Sequence, residues 1–342
     1  MLFISPPNCD IMNTQETSMT KVVRFHETGG PEVLRVENEN VSSPQGHEVQ
    51  IRQHAVGVNY IDTYFRSGLY QSPLPSPVGF EGAGVVIAIG AEVKDIKTGD
   101  RVAYGHSPLG AYAEVRNIPE HCLVKIPDGI SFELAASLML KGLTVWYLFH
   151  QTYALKKNET FLFHAAAGGV GLLACQWARH IGAKMIGTVS SAEKGKKALE
   201  MGAFAVINYR DENIVKRVLE INGGEKVSVV YDSVGKDTWM TSLDCLRMRG
   251  HMVSFGNASG PVTGVNLSDL ATRGSLTVTR PMLFSYVETA GKLRAATDVV
   301  FDLALKGILK VDVSHTYPLE KAVDAHTALL NRDRVGSLLL IP

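Results

Sequence analysis

The chain has 342 residues, enough for two domains of ordinary size, and its 34 basic and 34 acidic side chains cancel to a formal net charge of zero. A neutral chain offers no electrostatic footprint for nucleic acid or an anionic membrane, and no apolar run approaches the roughly 20 residues of a membrane span. Four scattered cysteines without a CxxC motif indicate reduced thiols in a cytoplasmic protein; they are Cys9, Cys122, Cys175 and Cys245.

The N-terminal segment differs from the rest of the chain. Residues 1–18 contain no lysine or arginine, and the apolar run at residues 2–4 is too short for the core of a signal sequence. We therefore expect neither a secretory signal nor an arginine-rich transit peptide. The segment predicts a disordered N-terminal extension over residues 1–19, or an upstream start with Met19 as the functional one.

From residue 21 to about residue 127 the sequence predicts short strands separated by frequent glycine and proline. Alternating apolar residues and close turns favour a compact β-barrel. The clearest strands are residues 22–25, 48–52, 84–88, 101–104 and 111–115. A long helix is predicted next, over residues 132–153, with a break near Gly142.

Residues 160–178 predict a short strand, a glycine turn and a helix, which is the layout of a dinucleotide-binding βα unit. Compared with the pattern GxGxxG, Ala166 replaces the first glycine, and Gly168 and Gly171 stand at the second and third positions. Gly168 lets the backbone approach a pyrophosphate, and Gly171 lets the helix pack closely on its strand. The first amides of the helix lie at the positive end of its dipole and suit a phosphate.

Apolar strands alternate with helices after this turn, which predicts a buried, doubly wound parallel sheet. The later strands of this sheet are predicted at residues 184–189, 205–209, 227–232, 251–256 and 276–279. Helices over residues 286–305 and 319–331 follow, and then a final strand over residues 337–341. We expect that strand to pair with the first domain, so that the cofactor domain is an insertion.

Several short motifs carry a resemblance to a known family. They lie at residues 57–70, 79–84, 99–102, 140–144 and 165–171. In these motifs the chain resembles the quinone oxidoreductases of the medium-chain dehydrogenase/reductase superfamily, above all the bacterial NADPH:quinone reductases related to zeta-crystallin. The resemblance covers about residues 20–342.

The resemblance implies two domains with the nicotinamide in the cleft between them. The first is a GroES-like catalytic β-barrel domain over residues 20–143 and 283–342. The second is a Rossmann NADPH-binding domain over residues 144–282. The family also implies a homodimer whose sheets join edge to edge through residues 276–279.

The same comparison predicts a site without zinc. Zinc alcohol dehydrogenases of the superfamily place a cysteine where this chain has Asn59 and a histidine where it has Phe80, and neither replacement is a competent zinc ligand there. Of the four-cysteine lobe that holds a structural zinc, only Cys122 lies in the region. A simple ketone needs a Lewis acid for its alkoxide, whereas a quinone or an enone spreads the charge. We expect Glu81 to have a structural or hydrogen-bonding role.

The end of the second Rossmann strand predicts NADPH over NADH. NAD enzymes place an acidic residue there to bind the ribose 2′-hydroxyl, whereas this chain has Ser190. Ser190 and Ser191 can donate hydrogen bonds to a 2′-phosphate, and Lys194 can supply a positive charge, although a solvated lysine is the alternative. By the resemblance, Tyr209 could stack or hydrogen-bond nearby.

Two side chains near the expected nicotinamide position are candidate catalytic groups. Asn59 can bond the nicotinamide ribose or the substrate carbonyl, and Tyr64 can donate a proton or simply wall the pocket. The resemblance places Lys141 and Thr144 where a helix meets the cofactor; a surface lysine and a helix cap are the alternative. His164 is expected to be a hydrogen-bonded sheet residue. Further predicted cofactor contacts are Tyr60, Ala167, Gly168, Gly169, Val170, Ser233, Phe255, Gly256, Ala258, Arg280 and Arg334.

These features predict an NADPH:quinone oxidoreductase that transfers hydride to a small-molecule quinone without zinc. One alternative is an NADPH-dependent enone or alkenal reductase that uses the same site. Another, of a different class, is an NADPH-binding structural or RNA-associated protein of the crystallin kind, against which the neutral charge argues. Neither nucleic acid nor membrane is an expected partner.

Overall fold

The computed structural model describes residues 19–106, 108–331 and 335–342, which form an α/β fold with three sheets. The first strands are β1 (Met19–Phe25), β2 (Leu34–Asn40), β3 (Glu48–Val58), β4 (Ser76–Pro77), β5 (Glu81–Ile89), β6 (Arg101–Gly105), β7 (Val115–Pro119) and β8 (Val124–Lys125). The later strands are β9 (Thr160–Phe163), β10 (Lys184–Val189), β11 (Ala205–Asn208), β12 (Val227–Asp232), β13 (Leu246–Ser254), β14 (Thr277–Thr279), β15 (Val313–Pro318) and β16 (Ser337–Ile341). The helices are α1 (Tyr60–Arg66), α2 (Phe132–Tyr147), α3 (Gly169–Ile181), α4 (Ala192–Met201), α5 (Ile214–Ile221), α6 (Trp239–Asp244), α7 (Ser268–Thr272), α8 (Ala290–Leu305) and α9 (Ala322–Leu330).

The parallel sheet is the predicted doubly wound one. Its strands lie in the order β11-β10-β9-β12-β13-β14, and all neighbours pair in parallel. The strand predicted at residues 276–279 is β14, at one edge of the sheet. The strand order reverses between β9 and β12, and the carboxyl ends of strands at such a switch point are where ligands bind in open α/β sheets.

The barrel-like part is a seven-stranded sheet in the order β15-β16-β3-β5-β6-β8, with β7 also paired to β3. A three-stranded sheet in the order β2-β1-β4 lies beside it. The long strand β3 alternates exposed and buried residues at first and then becomes buried throughout. The last strand, β16, runs antiparallel to β3, with Leu338 opposite Val58 and Leu340 opposite Val56. The C-terminus therefore returns to the first part of the chain, as expected.

The first part of the chain differs from the expectations in three respects. Residues 111–115 are not a strand; the strand is β7, which begins at Val115, and the preceding segment makes only an isolated bridge from Ala113 to Val22. The cause is Gln53, whose side-chain amide donates to the carbonyls of Ala111 and Ala113 (2.8 Å to the latter). Strand β2 was missed because its exposed, charged residues conceal the alternation.

The third difference concerns the N-terminal extension. Met19, the last residue of that predicted extension, lies in β1 and pairs with Asn40. Residues 1–18 lie outside the described residues.

Helix α2 is continuous through Gly142, where a break was expected, and ends in a single π-helical turn, Leu148–Thr152. Gly142 is needed for packing, since a Cβ there would lie 2.7 Å from a methyl carbon of Val300 on α8. The combined helix Phe132–Thr152 is long and apolar enough to cross a membrane by length and composition alone, which corrects the expectation of no such run. It is a core helix instead, with 72% of the apolar window buried inside the protein.

The C-terminal helices are shorter than predicted. Helix α8 begins at Ala290 because Thr289 caps it, with the threonine side chain accepting from the Lys292 amide. A 3-10 turn, Leu319–Lys321, precedes α9. One hydrophobic cluster runs from the barrel through α2 into the parallel sheet and α8, so the two parts share a core. The domain bounds at residues 143/144 and 282/283 remain predictions.

Candidate active site

The glycine turn after β9 has the geometry of a phosphate cradle. Gly168 is the N-cap of α3 and is exposed; a Cβ built on it would make one tight contact, 3.3 Å from the Ala165 carbonyl oxygen, and would meet no other atom within 4 Å. At Gly171 a Cβ would lie 2.4 Å from the Ala165 oxygen and 2.5 Å from that of Ala166. Ala165 adopts the left-handed conformation of the turn, with φ 56°, while Ala166 is fully buried. An N-terminus capped only by glycine leaves its amides available to an anion and fits a pyrophosphate.

The residues predicted to bind a 2′-phosphate lie together at the carboxyl ends of β10 and β11. Ser191 caps α4 by accepting a hydrogen bond from the Lys194 amide at 3.3 Å, and the Lys194 ammonium donates to the Ser190 hydroxyl at 3.3 Å. Tyr209 follows β11, is 44% exposed and donates its backbone amide to Val189. Two hydroxyls and an ammonium at this point form a donor set that fits a dianionic phosphate.

On the barrel side of the cleft a carboxylate is buried among donors. Glu81, at the start of β5, is fully buried, and its oxygens accept from the Leu140 amide (2.8 Å), the Asn59 side-chain amide (2.7 Å) and the Lys141 ammonium (3.0 Å). Lys141 is itself only 6% exposed, so the alternative of a surface lysine is wrong. Its side-chain carbons lie 3.1 Å from where a Cβ of Gly169 would be, so Lys141 spans from the barrel to the glycine turn.

Two tyrosines, Tyr64 on α1 and Tyr70 after it, contact the segments that follow β13 and β14. The Tyr64 hydroxyl accepts a hydrogen bond from the Asn257 backbone amide at 2.8 Å, and burial raises the pKa of Tyr64 to about 12. Arg280 donates to the Tyr70 hydroxyl (3.0 Å) and to the Ser254 carbonyl (2.7 Å). Arg280, a predicted cofactor contact, therefore bonds to protein groups here.

Tyr70 and Asn257 were missed as parts of this arrangement, although both carried a signal. Tyr70 is the last residue of the motif at residues 57–70, and Asn257 stands between the predicted contacts Gly256 and Ala258. Arg334 lies outside the described residues.

The remaining predicted contacts fall into two groups. Tyr60 and Thr144 lie near the residues just described: the Tyr60 ring packs 5.8 Å from that of Tyr64, and the Thr144 hydroxyl donates to the Leu140 carbonyl at 2.7 Å. The second group lies where β12 and β13 end. The segments that follow these two strands approach each other so closely that one of them needs a glycine, since a Cβ on Gly256 would lie 2.4 Å from the Ser233 carbonyl oxygen. The Ala258 amide donates to the same oxygen at 3.1 Å, and Phe255 packs on Phe163. Ala167 and Val170 belong to the glycine turn, buried and half-buried respectively.

His164 is a buried, hydrogen-bonded residue, as expected, and it forms a structural network with Asp232. The two ring nitrogens of His164 lie 3.0 Å from the hydroxyls of Thr188 and Ser242, and burial lowers the pKa of the ring. Asp232 accepts from the amides of Val234 and Gly235 and from two hydroxyls, one of them that of Ser242. Both side chains fix the ends of β9 and β12 from within the core.

The position that holds zinc in the superfamily is aromatic here and does not fit the metal. Phe80 packs its ring 5.3 Å from that of Phe65 and 5.5 Å from that of Phe284. The Asn59 amide nitrogen is directed at Glu81 and cannot act as a ligand. Across the described ranges, no three His, Cys, Asp or Glu side chains group closely enough to hold a metal ion. Phe65, Phe80 and Phe284 form an aromatic wall; Phe80 is buried within it, and the half-buried rings of Phe65 and Phe284 can face a flat conjugated ring.

A buried hydrogen-bond chain anchors α1 from behind. Arg66 donates to Nδ1 of His326 (3.0 Å), which leaves the Nε2 hydrogen of a neutral ring for the Tyr112 hydroxyl (2.9 Å). Tyr112 in turn donates to Asp62 (3.1 Å), which also accepts from the backbone amide of Asn59. Burial raises the pKa of Asp62 to about 7, whereas burial and the Arg66 charge lower that of His326 to about 3.

Comparisons with known proteins agree with this architecture. A model of the alcohol dehydrogenase GroES-like domain matches residues 45–128, and one of the zinc-binding dehydrogenases matches residues 169–300. A quinone oxidoreductase of Salmonella typhimurium is 56% identical over 95% of this chain and 100% of its own length. The solved structure of Escherichia coli quinone oxidoreductase complexed with NADPH is 55% identical, with a TM-score of 0.93 over 94% of this chain and 100% of that one. A 2-haloacrylate reductase of Burkholderia is 42% identical over 95% of this chain and 99% of its own length.

Proposed function

The chain belongs to the quinone oxidoreductases of the medium-chain dehydrogenase/reductase superfamily, with a GroES-like barrel and a Rossmann sheet, and we propose that it reduces a small-molecule quinone with NADPH. The observation that carries the proposal is the pairing of two features across one cleft. A helix N-terminus capped by Gly168 stands on one side, and an aromatic wall replaces a metal site on the other. When bound, NADPH supplies the hydride from its nicotinamide ring.

The protein's own residues have binding and orienting roles in this proposal. The first amides of α3 bind the pyrophosphate, and Ser190, Ser191 and Lys194 bind the 2′-phosphate. The aromatic wall stacks against the quinone and keeps water away from it. Since a quinone spreads the incoming charge over a conjugated ring, its reduction needs no metal ion to stabilise that charge.

Of the two roles open to Tyr64, we favour walling the pocket. Its hydroxyl is the acceptor for the Asn257 amide, and burial raises its pKa to about 12. A phenolate would therefore be costly in this position, so proton release from Tyr64 is disfavoured. The proton that the reduced quinone takes up comes from solvent.

The direct test is a panel of acceptors with the purified protein, with NADPH consumption followed by absorbance. We expect turnover of 1,4-benzoquinone and of a naphthoquinone, with kcat/KM at least tenfold above that of an alkenal. The reverse order would favour the enone reductase alternative, to which the Burkholderia relative lends weight by its name. Tight NADPH binding with no turnover of any acceptor would favour a structural, crystallin-like role.

We also propose a homodimer joined through the edge strand β14. Exposed apolar side chains flank this edge: Met248 is 78% exposed, Leu267 75% and Met282 54%. Such a patch beside an open strand edge is typical of an interface between subunits. Light scattering should give a mass of two chains, and Met248→Glu should shift it toward one chain. Phe204→Glu, at a 52% exposed residue next to the opposite edge strand β11, is the control and should leave the mass unchanged.

A cytoplasmic location completes the proposal. In the part of the chain that the structure describes, Cys122, Cys175 and Cys245 are buried and free. Burial raises the pKa of the Cys122 thiol to about 11 and that of Cys175 to about 12, so both stay protonated and unreactive. Free thiols are the usual state in a reducing compartment. Fractionation of cells that produce the protein should find it in the cytoplasmic fraction.

A further inference from the structure

Glu81 is held in a setting built for a carboxylate. It is fully buried, and an unpaired charge there would cost several kcal/mol, yet three donors from Asn59, Leu140 and Lys141 converge on its two oxygens. The neighbouring strand makes room for it. Gly57 lies opposite Glu81 in the β3–β5 ladder, and a Cβ on Gly57 would lie 2.1 Å from a Glu81 oxygen. Residue 57 must therefore lack a side chain for the carboxylate to sit where it does.

The carboxylate fixes the orientation of the Asn59 amide. A carboxylate only accepts hydrogen bonds, so the nitrogen of Asn59 must face it, at 2.7 Å. The second hydrogen of that nitrogen points to the Gly57 carbonyl, 3.4 Å away. Both donors of the amide are thus directed at protein, and only its carbonyl oxygen can bond a ligand. Asn59 can accept from a ribose hydroxyl, but it has no hydrogen to offer a quinone oxygen.

The same carboxylate holds Lys141. Its ammonium donates to the oxygen that Asn59 also uses, and its side-chain carbons pass alongside Gly169 in the first turn of α3. The lysine is thereby kept extended between the barrel and the glycine turn. Glu81 sets the positions of two predicted cofactor contacts that lie on different elements, α2 and the residue before α1.

We infer that Glu81 is a positioning residue for the nicotinamide nucleotide, which it acts on only through Asn59 and Lys141. It touches no ligand itself, because it is fully enclosed by protein. This inference rests on the proposed NADPH site. It assigns Asn59 to the nicotinamide ribose, and it removes the substrate carbonyl as a partner for that side chain.

The test is the affinity for NADPH, measured by fluorescence titration without any acceptor. In Glu81→Gln the new amide nitrogen must face either the Leu140 amide or both Asn59 and Lys141, because Asn59 and Lys141 share one oxygen and Leu140 bonds to the other. A donor faces a donor in either orientation, and Lys141 loses the negative charge that holds it, so we expect the Kd to rise roughly tenfold or more. The KM for NADPH should rise in parallel, with kcat at saturating NADPH changed much less. Glu120→Gln is the matched control, because Glu120 also accepts three hydrogen bonds, from the amides of residues 94–96, but far from the cleft. Its Kd should stay within twofold of the wild type.

An exchange variant separates positioning from a general structural role. Glu81→Gln combined with Asn59→Asp reverses the polarity of the hydrogen bond between these two side chains, and it keeps one carboxylate in the cluster for the Lys141 ammonium to donate to. We expect it to fold even if the single variant does not, and to recover NADPH affinity to within about fivefold of the wild type. A Kd for Glu81→Gln equal to the wild-type value would overturn the inference. So would an exchange variant that binds more weakly than both single variants, or one that fails to fold.

The outcome is independent of the acceptor chemistry. A wild-type protein that binds NADPH but reduces no quinone would refute the proposed function and leave the role of Glu81 standing. Unchanged NADPH affinity in Glu81→Gln, together with normal quinone turnover, would refute the role of Glu81 and leave the proposed function standing.

Discussion

The two sides of the cleft are built by different means. On the sheet side, the phosphate cradle is made by consecutive residues, 165–171, and consists mainly of backbone. On the barrel side, the cluster around Glu81 takes one group each from the residue before α1, from β5 and from two positions on α2. The cradle thus depends on the absence of side chains, whereas the cluster depends on paired charges. Substitutions in the cradle should therefore act by adding a side chain, whereas substitutions in the cluster should act by removing a charge or a hydrogen bond.

The largest effect is expected on the cradle side, from Gly168→Val. A Cβ at this position meets only one carbonyl oxygen at 3.3 Å, so the fold should persist, while the added side chain fills the space of a pyrophosphate. NADPH affinity should fall more than about 100-fold by titration, with an unchanged circular dichroism spectrum. Gly291→Val, at a glycine with open space around it in α8, is the control. Near-normal affinity in Gly168→Val would place the pyrophosphate elsewhere.

The second prediction concerns pH and the buried chain behind α1. The raised pKa of Asp62, about 7, makes its contribution to the free energy of unfolding fall as pH rises from about 4 to 7. The lowered pKa of His326, about 3, makes its contribution rise between pH 3 and 6.5. Each slope is up to about 1.4 kcal/mol per pH unit, and the two oppose each other over most of this range.

Each single substitution should therefore expose the other slope. In His326→Gln, stability should fall from pH 4 to 7, and in Asp62→Asn it should rise from pH 3 to 6.5, as measured by urea unfolding at a series of pH values. The double variant should resemble the wild type in slope. If neither single variant changed the pH profile, these groups would not have the shifted pKa values described.

A third prediction separates the two glycines of the turn. In Gly171→Ala the new methyl group would lie within 2.5 Å of two backbone oxygens, which cannot move aside as a flexible side chain can. We expect the free energy of unfolding to fall by about 1–3 kcal/mol, from urea denaturation. Gly168→Ala is the comparison within the same turn and should cost much less stability. Equal losses at the two glycines would contradict their distinct roles.

The smallest effect is expected at the 2′-phosphate site. Lys194→Ala removes one positive charge beside Ser190, so the kcat/KM ratio of NADPH to NADH should fall roughly tenfold, mainly through KM for NADPH. Lys216→Ala, at an exposed lysine on α5 outside this site, should leave the ratio unchanged. A ratio that Lys194→Ala does not alter would assign this lysine to solvent.

The contrast between the backbone cradle and the side-chain cluster around Glu81 also explains which parts of the site could be predicted from sequence. The cradle could be predicted, because the need for Gly168 and Gly171 arises within one strand–turn–helix unit. The contacts of Glu81 could not, since its partners are 22, 59 and 60 residues away in the chain, and no local spacing indicates that they meet. Similarly, the strand expected at residues 111–115 failed because a distant side chain, Gln53, takes the carbonyls of that segment.

The most direct test of the central claim is the rate of NADPH oxidation by 1,4-benzoquinone before and after exhaustive dialysis against a strong zinc chelator. The donor set at Asn59 and Phe80 predicts equal rates, because neither side chain can ligate the metal. Loss of activity on dialysis, restored by added zinc, would contradict the account, because hydride transfer would then depend on a metal for which these residues provide no site.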